Sequence, residues 1–202
     1  MREQQLEKIN LEHDAARLFM RLYEQQFGLP MRHIWHNEPA KPDVSCYLQE
    51  QRLDLEIAHL YGSEIEAMHI LGRPLSLQTH QELLALQQVP PAQRLLEALN
   101  RLIAQKGRKS YDSNRVWLVI RNASPYWRCQ DLQLHRPRLL LPSQHPFEQI
   151  WLVGDLAGLS GILPLFPPAL WQQARTLPGA STPDGTAPST AQATTPARRL
   201  PD

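Results

Sequence analysis

Between Leu53 and Leu60 the chain reads Leu-Asp-Leu-Glu-Ile-Ala-His-Leu, a period-two alternation that belongs to a β-strand and not to a helix. Leu53, Leu55 and Ile57 point one way, and Asp54, Glu56 and Ala58 point the other. A second run of strand character, Val44 to Leu48, lies just upstream, separated by the polar Gln49, Glu50, Gln51 and Arg52. That is the pattern of a hairpin, so the two strands pair antiparallel. Pro42-Asp43 stands immediately before the first strand. Since neighbouring strands lie about 4.8 Å apart, an acid at the start of one and an acid in the middle of its partner converge. Two carboxylates at that separation repel unless a cation neutralises them, and hard oxygen ligands suit Mg²⁺.

Around this hairpin the apolar periodicity sets the remaining elements. Leu11, Ala15, Leu18, Phe19, Leu22 and Tyr23 recur at helical spacing, which predicts one long helix over residues 3 to 27, ended by Gly28 and Pro30. Residues 31 to 36 read as a short first strand, and a helix is expected around Thr79 to Gln87. Pro90 and Pro91 signal the start of another helix, carried by Leu95, Leu96, Leu99, Leu102 and Ile103 and stopped near Gly107. Val116 to Ile120 and Ile150 to Val153 read as buried strands. The order, helix, up to three strands, helix, two strands, predicts an α/β layered domain.

The first helix carries a third acid of interest. At 100° per residue Glu12 falls within the arc of Phe19, Tyr23, Ala15 and Ala16, whereas Glu7 and Glu24 lie outside it. A carboxylate on a buried face needs a partner. The alternative is a Glu at the rim of the interface that reaches solvent or an arginine.

Charge is unevenly placed along the chain. Residues 1 to 93 hold 13 acids against 8 bases, net −5, while residues 94 to 138 hold 3 acids against 10 bases, net +7. If the fold sets these blocks face to face, an acidic cluster meets a basic wall, the sequence signature of a metal site beside a phosphate-binding surface; ordinary solvated surface is the alternative. An overall net charge of +1 excludes a grossly polycationic nucleic-acid binder. No apolar stretch approaches the roughly 20 residues of a membrane span. With no secretory h-region and only Cys46 and Cys129, a cytoplasmic location and no disulfide framework are expected. From Arg175 onward Pro, Thr, Ala, Ser and Gly dominate, so residues 1 to 174 are expected to form the domain and 175 to 202 a disordered tail.

Taken in order, Pro42-Asp43, the hairpin, Glu56-Ile57-Ala58, a helix leading to Lys106 and Lys109, then Tyr111 and the strand Val116 to Ile120 resemble the PD-(D/E)XK nuclease superfamily. The likeness is to its bacterial branches in which the motif lysine is replaced, and it spans roughly residues 5 to 165. It implies a restriction-endonuclease-like mixed sheet flanked by helices, with an α-β-β-β-α-β core. It also implies that Asp43 and Glu56 bind the metal, Mg²⁺ or Mn²⁺, and that Glu12 is the helix acid many members add. Ala58 stands where the lysine would be, and Ala58 can neither orient water nor stabilise charge on a phosphate. Members that supply the lysine from a helix make Lys106 and Lys109 the candidates, Lys106 being nearer the helical register and Lys109 further past Gly107. The nucleic-acid backbone would be gripped between Arg101 and Arg138, with Arg101, Arg108, Lys109 and Arg115 foremost.

Other motifs carry less. His33 and His36 lack the second pair a zinc site needs. His59 falls on the face of Ile57 and reads as a core or interface histidine. Gly158 to Gly161 form neither a nucleophile elbow nor a phosphate loop. Of the five tryptophans, Trp127, between Tyr126 and Arg128 in the basic block, is the candidate for stacking a base, and a packed loop ring is the competing reading. The expected function is metal-dependent hydrolysis of phosphodiester bonds in DNA or RNA; the alternative is a catalytically silent module of the same fold that binds nucleic acid or a protein partner.

Overall fold

The computed structural model describes residues 2–37, 42–62 and 89–171. Helix α1 (Arg2–Phe27) is followed by strands β1 (Met31–His36), β2 (Val44–Leu48) and β3 (Gln51–Leu60). Helix α2 (Pro91–Gly107) and strand β4 (Val116–Asn122) come next. The short helix α3 (Cys129–His135), a 3-10 turn (Arg136–Arg138), and strands β5 (Phe147–Val153) and β6 (Ile162–Phe166) complete the chain described. The helix expected around Thr79 to Gln87 and the tail from residue 175 lie outside the described residues.

The six strands form one open mixed sheet in chain order. Hairpin pairings are antiparallel at the two margins, β1–β2, β2–β3 and β5–β6, while β3–β4 and β4–β5 are parallel at the centre. Parallel neighbours need a crossover, and α2 and α3 lie in the two crossovers. Both pack on the face carrying Ala58, Leu60, Leu118, Ile120 and Leu152. Helix α1 covers the opposite face, where Leu53, Leu55, Ile57, Trp117, Val119 and Trp151 point.

Helix α1 is anchored by the stripe its periodicity sets out. Ala15, Leu18, Phe19 and Tyr23 are buried, and the Tyr23 ring lies 5.4 Å from Trp117 and 5.5 Å from Trp151. The helix stops at Gly28, whose φ of +67° is easy only for glycine and whose N–H bonds the Glu24 carbonyl at 2.8 Å.

Two sequence expectations change here. The hairpin link is two residues and not four: Gln49 and Glu50 take φ of +49° and +66°, and Gln51 and Arg52 already pair with Leu48 and Tyr47. Two successive positive φ values make the turn that matches strand twist, but Gln-Glu carries none of the usual turn residues, so sequence does not reveal it. The chain also has a short helix and a last strand beyond the expected order. Pro164 argues against an interior strand; β6 tolerates it because it is an edge strand, paired only with β5. Among the described residues no helix is long and apolar enough to cross a membrane, and Cys46 and Cys129 are free thiols.

Candidate functional site

The hairpin register pairs Val44 with Leu55, Ser45 with Asp54 and Tyr47 with Arg52. Continued by one residue, it sets Asp43 opposite Glu56. Asp43, Ser45 and Tyr47 therefore share a face with Arg52, Asp54 and Glu56, while Val44, Cys46 and Leu48 join Leu53, Leu55 and Ile57 against α1. Ladder pairing ends at Val44, and the Asp43 side chain takes over: its Oδ2 accepts the Ile57 N–H at 2.9 Å. Asp43, the acid standing before the first strand, and Glu56, the acid of the alternation, are thus brought together.

Glu56 is 1% exposed, so its charge needs partners inside the protein. Two ammoniums supply them. Lys106 Nζ lies 2.7 Å from Oε1 and also donates to the Ile57 carbonyl at 2.9 Å. Lys109 Nζ lies 3.3 Å from the same oxygen. Lys106 points at β3 because it follows Ile103, a sheet-facing residue of α2, by one helical step of three. Lys109, although further past Gly107, also reaches Glu56: its N–H bonds the Lys106 carbonyl at 3.2 Å, and that turn brings it back to the site. Ala58, next to Glu56 on the same face, is buried in the apolar cluster under α2. A lysine at position 58 would carry its ammonium into that cluster, so the positive charge comes from the helix.

Tyr111, which in the sequence marks only the order of elements before β4, belongs to the same site. Its hydroxyl donates to the Lys106 carbonyl at 3.3 Å, and burial together with the Glu56 carboxylate holds its pKa well above the usual phenol range. On the other side stands Glu12, buried as its helical position requires, with Lys8 Nζ 3.1 Å from its Oε1. The spacing of four that joins Lys8 to Glu12 is the sequence signal for this pair.

One electrostatic field covers these groups. Burial raises the pKa of Asp43 to about 6, and the charges of Glu56 and Glu12 add to the rise against the opposing Ile57 N–H and Lys106. For Lys8, burial favours the neutral amine, but the Glu12 hydrogen bond and the negative charges of Glu12, Asp43 and Glu56 outweigh it and raise the pKa. Glu12 Oε2 and Glu56 Oε2 are buried with no hydrogen-bond partner among the described residues. An unpartnered carboxylate oxygen beside a second carboxylate is a donor set for a hard cation. Among the described residues no group of three or more His, Cys, Asp or Glu is gathered as a metal site. Mg²⁺ does not require one: it is commonly held by one or two carboxylates with water and substrate phosphate completing the shell. Asp43 and Glu56 fit that mode.

The remaining expected residues divide. Arg101 and Arg108 are exposed, available to an outside partner. Arg115 is engaged within the protein, by Glu148 at 3.0 Å and Gln51 at 3.3 Å, and Lys109 belongs to the Glu56 cluster. Trp127 is buried and offers no free ring. Burial lowers the pKa of His59 to about 4, helped by Arg121 and Lys106, which makes it a neutral packed histidine.

Beside Glu56 on the same face runs a second polar network. Asp54 Oδ1 accepts from Ser45 Oγ at 2.5 Å and Arg52 Nε at 3.0 Å, and Asn37 Nδ2 donates to Ser45 Oγ at 2.7 Å. The same alternation that singles out Glu56 also places Asp54. No protein-family model matches this chain, and no curated protein or solved structure matches it.

Proposed function

We propose that the chain is a metal-dependent phosphodiesterase of the PD-(D/E)XK type acting on nucleic acid, with its lysine moved from the strand to a helix. The observation that carries this reading is Lys106, whose Nζ meets Glu56 and the Ile57 carbonyl at 2.7 and 2.9 Å. An ammonium thereby stands at the end of the E-x-x motif although Ala58 cannot provide it. The order α1, β1, β2, β3, α2, β4, with β3 and β4 parallel, supports the restriction-endonuclease-like core that the resemblance implies.

In this reading Asp43 and Glu56 hold Mg²⁺ or Mn²⁺, which supplies Lewis acidity toward phosphate and water. Lys106, held by the Ile57 carbonyl, keeps protons to offer a phosphate oxygen as negative charge develops there. Lys109 offers a second positive charge, and Tyr111 fixes the turn that presents both lysines. Glu12 keeps the field negative enough to favour the cation and is itself balanced by Lys8.

A second reading has its own observation. Lys106 and Lys109 already neutralise Glu56 Oε1, so the carboxylate is satisfied at that oxygen without a metal, as in a catalytically silent nucleic-acid-binding or protein-binding module. Calorimetric titration of the purified protein with Mg²⁺ and Mn²⁺, alongside cleavage assays on DNA and RNA, separates the two. Metal binding lost in Asp43→Asn, with cleavage lost in Lys106→Ala, is expected of the enzyme. No metal binding and no cleavage leaves the silent module.

A further inference from the structure

The polar face of the hairpin does not end at the carboxylates. Toward the turn it becomes aromatic. Tyr47 pairs with Arg52 across the hairpin and Trp35 pairs with Ser45, so both rings lie on the face of Asp43 and Glu56. Trp35 and Tyr47 have centroids 5.5 Å apart, and the His33 ring meets Tyr47 edge-on at 6.2 Å. The Arg52 guanidinium lies 5.9 Å from the Trp35 ring while Asp54 and Ser45 hold its nitrogens.

These rings are not simply core. Tyr47 is 38% exposed and His33 is exposed, in a protein whose other large aromatic cluster, at Phe19, Tyr23, Trp117 and Trp151, is fully packed. His33 is held at φ +56° beside a register irregularity in β1, a conformation uncommon outside glycine. His33 and Tyr47 border a cavity of about 760 Å³, lined also by Pro30, Arg32, Gln49 and Glu50. Along β3 the Arg52 rung lies four residues from Glu56, about 13 Å at the usual strand rise.

We propose that Trp35, Tyr47 and His33, with Arg52, form a stacking platform for the bases of single-stranded nucleic acid, leading its backbone toward Asp43 and Glu56. Exposed aromatic rings on a sheet, joined by an arginine, bind unpaired bases through their π-faces with little sequence preference. Duplex bases are already stacked and cannot enter such a platform. The proposal rests on the nucleic-acid reading of the carboxylate site for its direction, but the platform itself needs no metal.

The test is fluorescence anisotropy of labelled oligothymidylate and oligouridylate, and of a DNA duplex of the same length, with the full chain at low salt in EDTA. Binding of the single strands in preference to the duplex is expected. Tyr47→Ala should weaken single-strand binding about five- to a hundredfold, as the loss of one stacked base does, whereas Tyr47→Phe, which keeps the ring, should stay within about twofold. Circular dichroism melting checks that each variant is folded, and His33→Ala gives an independent reading should Tyr47→Ala unfold. Unchanged affinity in a folded Tyr47→Ala, equal affinity for the duplex, or no single-strand binding overturns the platform. Binding in EDTA with no cleavage in Mg²⁺ ends the nuclease reading and leaves the platform. Cleavage in Mg²⁺ with affinity indifferent to Tyr47 does the reverse.

Discussion

Strand β3 has two buried faces built on different physics. On one, Leu53, Leu55 and Ile57 meet α1 and the rings of Phe19, Trp117 and Trp151. On the other, Asp54 and Glu56 are 2% and 1% exposed, as deep as the leucines, and survive there only through Ser45, Arg52, Lys106 and Lys109. The first face is stabilised by area and close packing, which are non-directional. The second depends on placing each partner correctly, because a buried charge that loses its partner is strongly destabilising, while replacing the whole pair with apolar groups is often neutral or favourable.

The contrast can be broken or sharpened by substitution, beginning with the largest effect. Phe19→Ala should lower the free energy of unfolding by about 3–5 kcal/mol in a urea titration, and a loss under about 1 kcal/mol would show that the α1 face is not closely packed. Next, Lys106→Met leaves Glu56 with Lys109 alone, and should destabilise by about 3 kcal/mol. Adding Glu56→Gln should recover most of that loss, since no buried charge is then left short of a partner. If the double variant is no better than the single one, Lys106 supports the fold through packing and the pairing account of this face fails.

The two faces also differ in the direction of their pH dependence. Asp43, on the polar face, has its pKa raised to about 6, above the roughly 3.9 of an unfolded Asp. The folded state therefore binds more proton between those values, and this contribution to stability is lost as pH rises from about 4 to about 6. His59, two residues past Ile57 on the other face, has its pKa lowered to about 4, against roughly 6.5 unfolded. Its contribution is present above about pH 6.5 and is lost as pH falls toward 4. At about 1.4 kcal/mol per pKa unit each effect is roughly 3 kcal/mol, and in the wild type they oppose each other. Asp43→Asn should therefore unmask stability that rises with pH across this window, and His59→Gln stability that falls. Denaturation midpoints that move in parallel for the two variants would remove the distinction. The smallest effect is expected at Arg115→Ala, which breaks a partly exposed pair with Glu148 and should change stability by less than about 1 kcal/mol.

Local pattern was enough to identify α1, the hairpin strands, the start of α2 and the buried strands β4 and β5, because each rests on a period that neighbouring residues alone enforce. It also singled out Glu56 and Glu12 as candidates, because an acid among apolar positions is conspicuous wherever the period is clear, and Asp43 by its place just before a strand. The turn at Gln49 and Glu50 escaped because sheet pairing imposes positive φ on residues with no preference for it. Strand β6 escaped because a proline is tolerable only at a sheet edge, and edges are defined by strand order, a property of the whole sheet.

The sequence by itself determined which residues of β3 face which way, since a two-residue period leaves no freedom. Only the tertiary structure decided what meets them. Lys106 and Lys109 reach Glu56 across some fifty positions of chain, because β4 pairs parallel to β3 and the crossover lays α2 over the polar face. The aromatic rungs at Trp35 and Tyr47 share that face through the register of β1 on β2. Contacts of this kind depend on how distant segments are brought into register, and no local period encodes that.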